Sequence, residues 1–164
     1  MRASDRVIDR NMGYQELKDR LRLLGEPKVI VGIRQEHGQK IANEDDEESE
    51  LTLAEVASVN EFGSEGGHIP ERSFMRSTFD ENVKKYGKAL EKGLKEALDD
   101  DFDVLHIRNA LGRVGLRVTR DIQRKIRALR EPPNAPRTIA EKGSDNPLID
   151  TGRMRQSIDH EIIE

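Results

Sequence analysis

Cysteine and tryptophan are absent from the chain, and only four phenylalanines and two tyrosines supply aromatic rings. Without cysteine the chain cannot form disulfides, use a thiolate nucleophile or bind zinc through sulfur, which fits assembly in a reducing cytoplasm. Long apolar runs are absent too, since none approaches the roughly 18 residues that cross a bilayer. Residues 1–10 lack the apolar segment of a signal peptide, so we expect neither a signal peptide nor a membrane partner.

The length and composition suit one domain with a modest, mainly aliphatic core. Of the 164 residues, 34% are hydrophobic and 37% are charged. A core this thin suggests that partner chains supply part of the stability. The net charge of −4 gives no overall attraction toward nucleic acid.

Charges of opposite sign are separated along the chain. Residues 104–130 are rich in arginine and contain a single acid, Asp121. Residues 44–50, the acidic run, are predicted to form a solvated loop because like charges repel in any compact arrangement. The acidic run contains Glu44, Asp45, Asp46, Glu47, Glu48 and Glu50. We therefore expect two surfaces of opposite charge.

The N-terminal region is predicted to contain an arm, a helix and two strands. Residues 1–12 are predicted to be a flexible arm before a single domain, residues 13–164. A helix follows, ended by Gly25. Its apolar positions are Tyr14, Leu17, Leu21 and Leu24. Lys28–Ile33 is rich in β-branched residues and reads as a buried strand, with residues 34–42 as a polar edge strand.

Three helices are predicted in the middle of the chain. Thr52 and Glu55 have the spacing of a capping box at the start of a short helix. Two long amphipathic helices follow, separated by the acidic residues 99–103, and the second covers about residues 104–130. The apolar stripe of the first contains Phe79, Val83, Tyr86, Leu90, Leu94 and Leu98. The stripe of the second contains Ile107, Leu111, Val114, Val118, Ile122, Ile126 and Leu129.

The C-terminal region is predicted to close a sheet. Residues 131–147 hold four of the six prolines and are expected to form a long irregular arm. Asp150 or Thr151 starts a short turn, and residues 157–163 alternate like a strand that pairs with Lys28–Ile33. The core face of that strand is expected to hold Ile158, His160 and Ile162. Long loops are expected at about residues 43–51, 63–73 and 131–150.

No catalytic or metal-binding constellation is recognisable in the sequence. The four histidines have no partner at a metal-binding helical spacing, and no serine or threonine lies in a nucleophile elbow. The glycines of residues 63–67 lack the Gly-Lys-Ser/Thr that would follow in a phosphate loop. We therefore predict no catalytic residue, no cofactor and no metal, and interpret the chain as not an enzyme.

Five arginines of the second long helix form the most distinctive charged pattern. Their spacing of four, three, four and three residues places them on one ridge, about a quarter-turn from the apolar stripe. This arginine ridge consists of Arg113, Arg117, Arg120, Arg124 and Arg127. It could be a solvated helix face, a surface for a phosphate backbone, or a contact with an acidic neighbouring subunit, for which the acidic run is the obvious candidate.

Two segments resemble a family of proteins from tailed bacteriophages. LAEVASVNEFGSEGGHIPERSFMRSTFDEN is similar to the central motif of minor tail and neck proteins, also labelled tail-completion, virion-morphogenesis or minor tail protein Z-like. PPNAPRTIAEKGSDNPLIDTGRMRQSI resembles their C-terminal signature. With VIVGI before them, the two motifs span most of residues 28–163 in the order typical of the family.

The resemblance implies an α+β fold, with a small, mainly antiparallel sheet packed against two long helices plus short helices. It also implies a structural role in the virion, as an oligomeric ring, typically a hexamer, at the head–tail junction or tail end. The expected partners are other copies of the chain and other neck, connector or tail-tube proteins. DNA would pass through the ring without specific binding, and assembly would take place in the host cytoplasm.

The residues of the two motifs have roles that can be predicted physically. Phe62, Ile69, Phe74 and Met75 are expected to anchor the loop on the helices, and Pro70 to rigidify its entry. Gly63 is expected to adopt a left-handed helix cap. Arg72 and Arg76 are predicted either to be solvent-exposed or to pair with Glu61 or a neighbouring subunit. Leu148 and Ile149 are expected to anchor the C-terminal segment, and Gly152 to form a tight turn after Asp150 and Thr151.

Overall fold

The computed structural model describes residues 25–34, 51–99 and 104–163, together with residues 19 and 22. In chain order the elements are β1 (Lys28–Ile33), α1 (Leu53–Phe62), α2 (Met75–Asp99), α3 (Val104–Ala128), α4 (Pro136–Lys142), α5 (Arg153–Gln156) and β2 (Ile158–Ile163). This arrangement confirms the α+β class. The N-terminal arm, the acidic run and residues 35–42 of the proposed edge strand lie outside the described residues.

The two ends of the described chain meet in one antiparallel sheet, as predicted. β1 pairs with β2 from Lys28↔Ile163 to Ile33↔Ile158, and the sheet has two strands within the described residues. Ile158 is 2% exposed and points into the core, whereas Ile163 on the other face is 37% exposed. The period-two alternation of β2 therefore gives one core face and one outer face.

Helix α3 lies at the centre of the fold, packed against α2 on one side and against both strands on another. Two glycines allow these close approaches. A Cβ atom on Gly93 of α2 would lie 2.9 Å from the Cβ of Ala110. A Cβ atom on Gly115 of α3 would lie 2.8 Å from Cγ of His160 and 2.9 Å from Cγ1 of Val29. Larger side chains at either glycine would push the neighbouring element away.

One large hydrophobic cluster and one smaller cluster form the core. The large cluster joins α1, α2, α3 and the C-terminal segment, and its buried members are Leu53, Ala57, Phe74, Tyr86, Val118, Ile122, Ile126, Leu148, Met154 and Ile158. The smaller cluster lies where α2 ends and α3 begins, and its buried members are Ala97, Ile107 and Leu111. Aliphatic side chains thus supply most of the core, as the composition predicted.

The C-terminal arm is more regular than the sequence analysis predicted. Pro136 to Lys142 form α4, although residues 131–147 were expected to be irregular throughout. Pro136 begins the helix, where its missing N–H costs nothing. Gly143 ends it with φ 64° and ψ 16°, and its N–H donates to Ile139 O. The abundance of proline obscured a helix whose start and stop signals are both present.

The apolar stripe of α2 is only partly covered by the described chain. Tyr86 is 4% exposed, but Phe79 and Val83 on the same stripe are 51% and 45% exposed. Helical periodicity identified the stripe but could not show how much of it the rest of the chain covers. Among the described residues, no helix is both long enough and apolar enough to span a membrane.

Candidate interaction surfaces

Glu61, the last-but-one residue of α1, holds the start of α2. Its carboxylate accepts hydrogen bonds from the backbone N–H groups of Phe74 at 2.8 Å, Met75 at 2.9 Å and Arg76 at 3.0 Å, and from Ser73 Oγ at 2.8 Å. These amides are among those that a helix start leaves without a helical partner. A carboxylate from another helix therefore caps the first amides of α2, beside Ser73 Oγ, which accepts from Ser77 N at 3.2 Å.

The protonation of Glu61 follows from these contacts. Burial of the side chain raises its pKa, but the hydrogen bonds from Met75, Arg76, Ser73 and Phe74 outweigh burial and hold the pKa below its usual value. Glu61 is only 4% exposed. The carboxylate is thus a charged structural group at neutral pH.

Arg76 continues this arrangement toward the surface. Its Nε lies 3.0 Å from Glu61 Oε1, and its Nη2 donates to Glu61 O at 2.9 Å and to Glu71 Oε1 at 2.7 Å. The guanidinium also stacks 4.5 Å from the ring centroid of Phe62. The pairing of Arg76 with Glu61 was one of the predicted alternatives.

Arg72 is buried, and its partners differ from those predicted. It is only 5% exposed, so the predicted alternative of solvent exposure is wrong. Its guanidinium donates to Pro132 O at 2.8 Å, Pro133 O at 2.9 Å, and Asn60 Oδ1 and Asn134 Oδ1 at 3.3 Å. The planar fork of arginine suits several acceptors at once. Arg72 therefore joins α1 to the segment that follows α3.

We call Asn60, Glu61, Arg72 and Arg76 the polar cluster. Through Arg72 this cluster joins the central motif to the C-terminal signature. In that signature Asn146 also binds backbone groups. Its Nδ2 donates to Arg127 O at 3.1 Å, and its Oδ1 accepts from Leu148 N at 3.0 Å. Asn60 and Asn146 were not identified from the sequence. Asn60 has the helical spacing of Leu53, Val56 and Ala57, but neither asparagine carries a charge, and only the side-chain contacts reveal their roles.

The predicted anchors divide into buried and exposed residues. Phe74 is 0% exposed and Leu148 is 5% exposed, while Met75 and Ile149 pack against the main core. Phe62 and Ile69 are not anchors, because they are 61% and 39% exposed. Both were assigned from apolar character alone, which does not tell a core-facing side chain from one at the rim of the loop.

The backbone of the motif loop turns at the predicted glycines. Gly63 has φ 80° and ψ 168°, so its φ is positive but its conformation is not the left-handed helical cap that was predicted. A Cβ atom there would lie 3.2 Å from Ile69 O and from Glu71 N.

Gly152, in the C-terminal segment, has φ 79° and ψ 0° and forms the expected turn before α5. At that turn Thr151 Oγ1 lies 3.4 Å from Arg153 N.

The arginine ridge lies on the outer side of α3, with all five side chains exposed. At 100° per residue the ridge is closer to a half-turn from the buried Ile122 and Ile126 than to the predicted quarter-turn. Arg113 lies 3.6 Å from Glu96, and Arg124 lies 3.1 Å from Asp121. Surface ion pairs of this kind contribute little to folding, so the ridge remains available to a partner.

Asp121, the single acid of α3, is used within the fold. Its carboxylate accepts from Tyr86 Oη at 3.1 Å and Lys85 Nζ at 3.3 Å, both on α2. Burial and the Asp121 charge raise the pKa of Tyr86 above its ordinary value, so the phenol remains a neutral donor. Asp121 therefore links α3 to α2 and leaves the outer side of α3 positive.

The structure offers an apolar groove as a second candidate surface. It lies between β1 and the first half of α2, with α3 as its floor, and has a volume of about 530 Å³. Its apolar lining consists of Val29, Val31, Met75, Phe79, Tyr86, Val114, Val118 and Ile122. An open apolar groove of this kind is a candidate interaction surface.

The ionisable residues form no recognisable metal site within the described parts of the chain. His160 Nδ1 is buried 3.4 Å from Asp159 Oδ1, but its ring is packed against Gly115.

Comparison of the chain with protein-family models, with curated proteins and with solved structures finds no match. The candidate surfaces therefore have to be interpreted from their own chemistry.

Proposed function

We propose that the chain is a structural, non-enzymatic subunit of a tailed-phage virion and forms an oligomeric ring at the head–tail junction or the tail end. The main support is the polar cluster. The charged residues of the phage-like central motif bind backbone groups of the chain itself, with Arg72 5% exposed and Glu61 4% exposed. Residues used in this way fix the shape of a subunit and leave its outer surfaces for neighbours.

The arginine ridge is the proposed contact with the next subunit, and the acidic run of that subunit is its proposed partner. A ring needs two different complementary surfaces on each copy, because its contacts are heterologous and must close. The ridge and the acidic run have opposite charge and lie far apart in the sequence. Neck, connector or tail-tube proteins would contact the two faces of such a ring, and DNA would pass through it.

Location in the virion provides the direct test. Antibodies against the purified chain should label particles, viewed by negative-stain electron microscopy, at the neck or the tail end. Mass photometry of the purified chain would add the number of subunits where the ring forms without its template. Purified particles that contain no copy of the chain would contradict the proposal, whatever the oligomeric state in solution.

A nucleic-acid-binding protein is the second candidate, supported by the five exposed arginines on one side of α3. Such a protein would bind duplex DNA with an affinity that falls steeply with salt, by a log–log slope of about −0.9 per neutralised phosphate. Arg117→Glu/Arg120→Glu should then abolish binding. The control Lys84→Glu/Lys88→Glu makes the same charge change on the exposed side of α2 and should bind almost normally.

A further inference from the structure

A pocket distinct from the arginine ridge and the apolar groove lies where α1 meets the C-terminal segment. It has a volume of about 250 Å³. Its apolar lining consists of Leu53, Val56, Pro147, Leu148 and Met154. Its charged lining consists of Lys142, Asp150 and Arg153. Apolar walls with a few polar groups that converge on one space are typical of a ligand site.

Lys142, the last residue of α4, lines this pocket with a cation that the described chain satisfies only in part. The side chain is partly buried, and its Nζ donates to Asn146 O at 3.2 Å. An ammonium group has three N–H donors. Among the described residues the backbone carbonyl of Asn146 is its one hydrogen-bond acceptor, so two donors are left for water or for a ligand.

A second cation lies behind the wall of the pocket. Asn60 lines the pocket, and its Oδ1 accepts from the Arg72 guanidinium at 3.3 Å. Arg72 is 5% exposed, and its acceptors within the described parts of the chain are four neutral oxygens. Buried charges in proteins are normally paired with an opposite charge. The pocket therefore lies beside a buried positive charge that no described carboxylate pairs with directly.

The charged groups around Lys142 act on it in opposite directions. Burial is the main reason that the pKa of Lys142 lies below its ordinary value, while Asp150 raises this pKa and Arg72 lowers it. Asp150 is exposed at the rim, where water screens its charge. Lys142 and Arg72 together thus outweigh Asp150, and an anion that enters the pocket meets a positive potential.

We propose that this pocket binds a carboxylate carried on a short aliphatic stem. The carboxylate accepts from Lys142 Nζ, and the stem contacts Leu53, Leu148 and Met154. A free aliphatic acid and a glutamate side chain of another protein share this chemistry. Because none of its lining belongs to α3, the site is separate from the proposed ring contact at the arginine ridge.

Titrations of the purified chain test the site and distinguish the two sources of the carboxylate. The free acid is represented by 4-methylpentanoate, with the neutral 4-methylpentanamide as its matched control. The side chain is represented by a tripeptide, capped at both ends, with a central glutamate, and the glutamine tripeptide is its control. The NMR signals of the Leu148 and Met154 methyl groups should shift and saturate with at least one carboxylate and not with its neutral control. Failure of both carboxylates to shift these signals would overturn the proposal.

Three variants identify the group that binds the carboxylate. Lys142→Met keeps an unbranched stem but removes the charge, so it should weaken binding at least about tenfold. Arg137→Met removes a cation from the exposed side of the same helix and should bind normally. Asp150→Asn should bind about two- to fivefold more tightly, because it removes the competing carboxylate. Equal affinity of Lys142→Met and the unaltered chain would contradict the proposal.

The titration of Lys142 separates a ligand-binding role from a purely structural one. A bound carboxylate favours the charged ammonium, so saturation with the carboxylate that binds should raise the pKa of Lys142. The signal of its ε-methylene group in ¹³C-lysine-labelled protein reports this pKa, and the neutral control ligand should leave it unchanged. A Lys142 pKa that is the same in the free and the saturated chain would show that the ammonium does not contact the carboxylate.

Discussion

The polar cluster and the arginine ridge use the same kind of residue in opposite ways. Arg72 is 5% exposed and donates to four neutral oxygens from two other segments of the chain. The ridge arginines are exposed, and the contacts of Arg113 and Arg124 are single ion pairs, to the exposed Glu96 and to Asp121. In the sequence the ridge is the more distinctive feature, because its arginines are regularly spaced. In the fold the isolated Arg72 makes more contacts between distant segments. The number of buried acceptors, rather than the number of charges, decides what an arginine contributes.

The largest expected effect separates two phenylalanines of the motif loop. Phe74→Ala should lower the free energy of unfolding by about 3–5 kcal/mol, because it opens a cavity in the main core. Phe62→Ala should cost less than about 1 kcal/mol, because that ring is 61% exposed and contacts mainly the Arg76 guanidinium. Urea denaturation of both variants measures the difference. Equal losses would mean that exposure does not decide the role of a residue in this loop.

The next effect concerns the buried arginine itself. Arg72→Ala should lower the free energy of unfolding by about 3 kcal/mol, because it leaves buried carbonyl groups without donors. Arg72→Lys should recover only part of the loss, since an ammonium group cannot span all four acceptors. Arg137→Ala is a suitable control, because its side chain is 89% exposed and pairs with Glu141 on the same helix. A loss below about 1 kcal/mol for Arg72→Ala would mean that the buried arginine stabilises the fold no more than an exposed ion pair does.

A smaller, pH-dependent effect is expected at Glu61. Glu61→Gln should lower the free energy of unfolding by about 2 kcal/mol at pH 7, because the charged acceptor of the α2 amides is lost. The pKa of Glu61 is lowered in the folded chain, so its stabilising effect is complete above the ordinary glutamate pKa of about 4.3 and disappears as the pH falls through the folded value.

Urea titrations of the unaltered chain and of Glu61→Gln, from pH 7 to pH 3, measure this dependence. The difference between their free energies of unfolding should be constant down to about pH 5 and then fall toward zero. Glu71→Gln, which removes an exposed carboxylate that also contacts Arg76, should show a much smaller gap. A Glu61 gap that widened on acidification would refute the assignment of Glu61 as a charged cap.

The smallest effect on folding is expected at the ridge. Arg117→Glu/Arg120→Glu should change the free energy of unfolding by no more than about 0.5 kcal/mol, because both side chains are exposed. If the proposed ring is correct, the same variant should assemble poorly into virions, whereas Lys84→Glu/Lys88→Glu should assemble normally. Normal virion yield from the ridge variant would mean that the ridge is a solvated helix face.

The sequence predicted the secondary structure of the described chain well where a local physical signal was present. The capping box formed by Thr52 and Glu55 is present at the start of α1, and the long helices and both strands occupy the expected segments. The proline content of residues 131–147 predicts an irregular segment, but the positions of Pro136 and Gly143 are those of a helix start and a helix end, and α4 lies between them. The nature of the loop anchors was predicted only in part, since Phe62 and Phe74 have the same side chain and opposite exposure.

Local periodicity by itself determined which faces of α2, α3 and β2 are apolar, because the repeat of a helix or strand is a property of the backbone. It also determined that β1 and β2 must pair, since each needs a partner for its backbone groups. Only the tertiary structure decided that Glu61 caps a helix that begins 14 residues later and that Arg72 reaches carbonyls 60 residues away. Hydrogen bonds between distant segments leave no spacing in the sequence, because their geometry exists only after the core has brought the segments together.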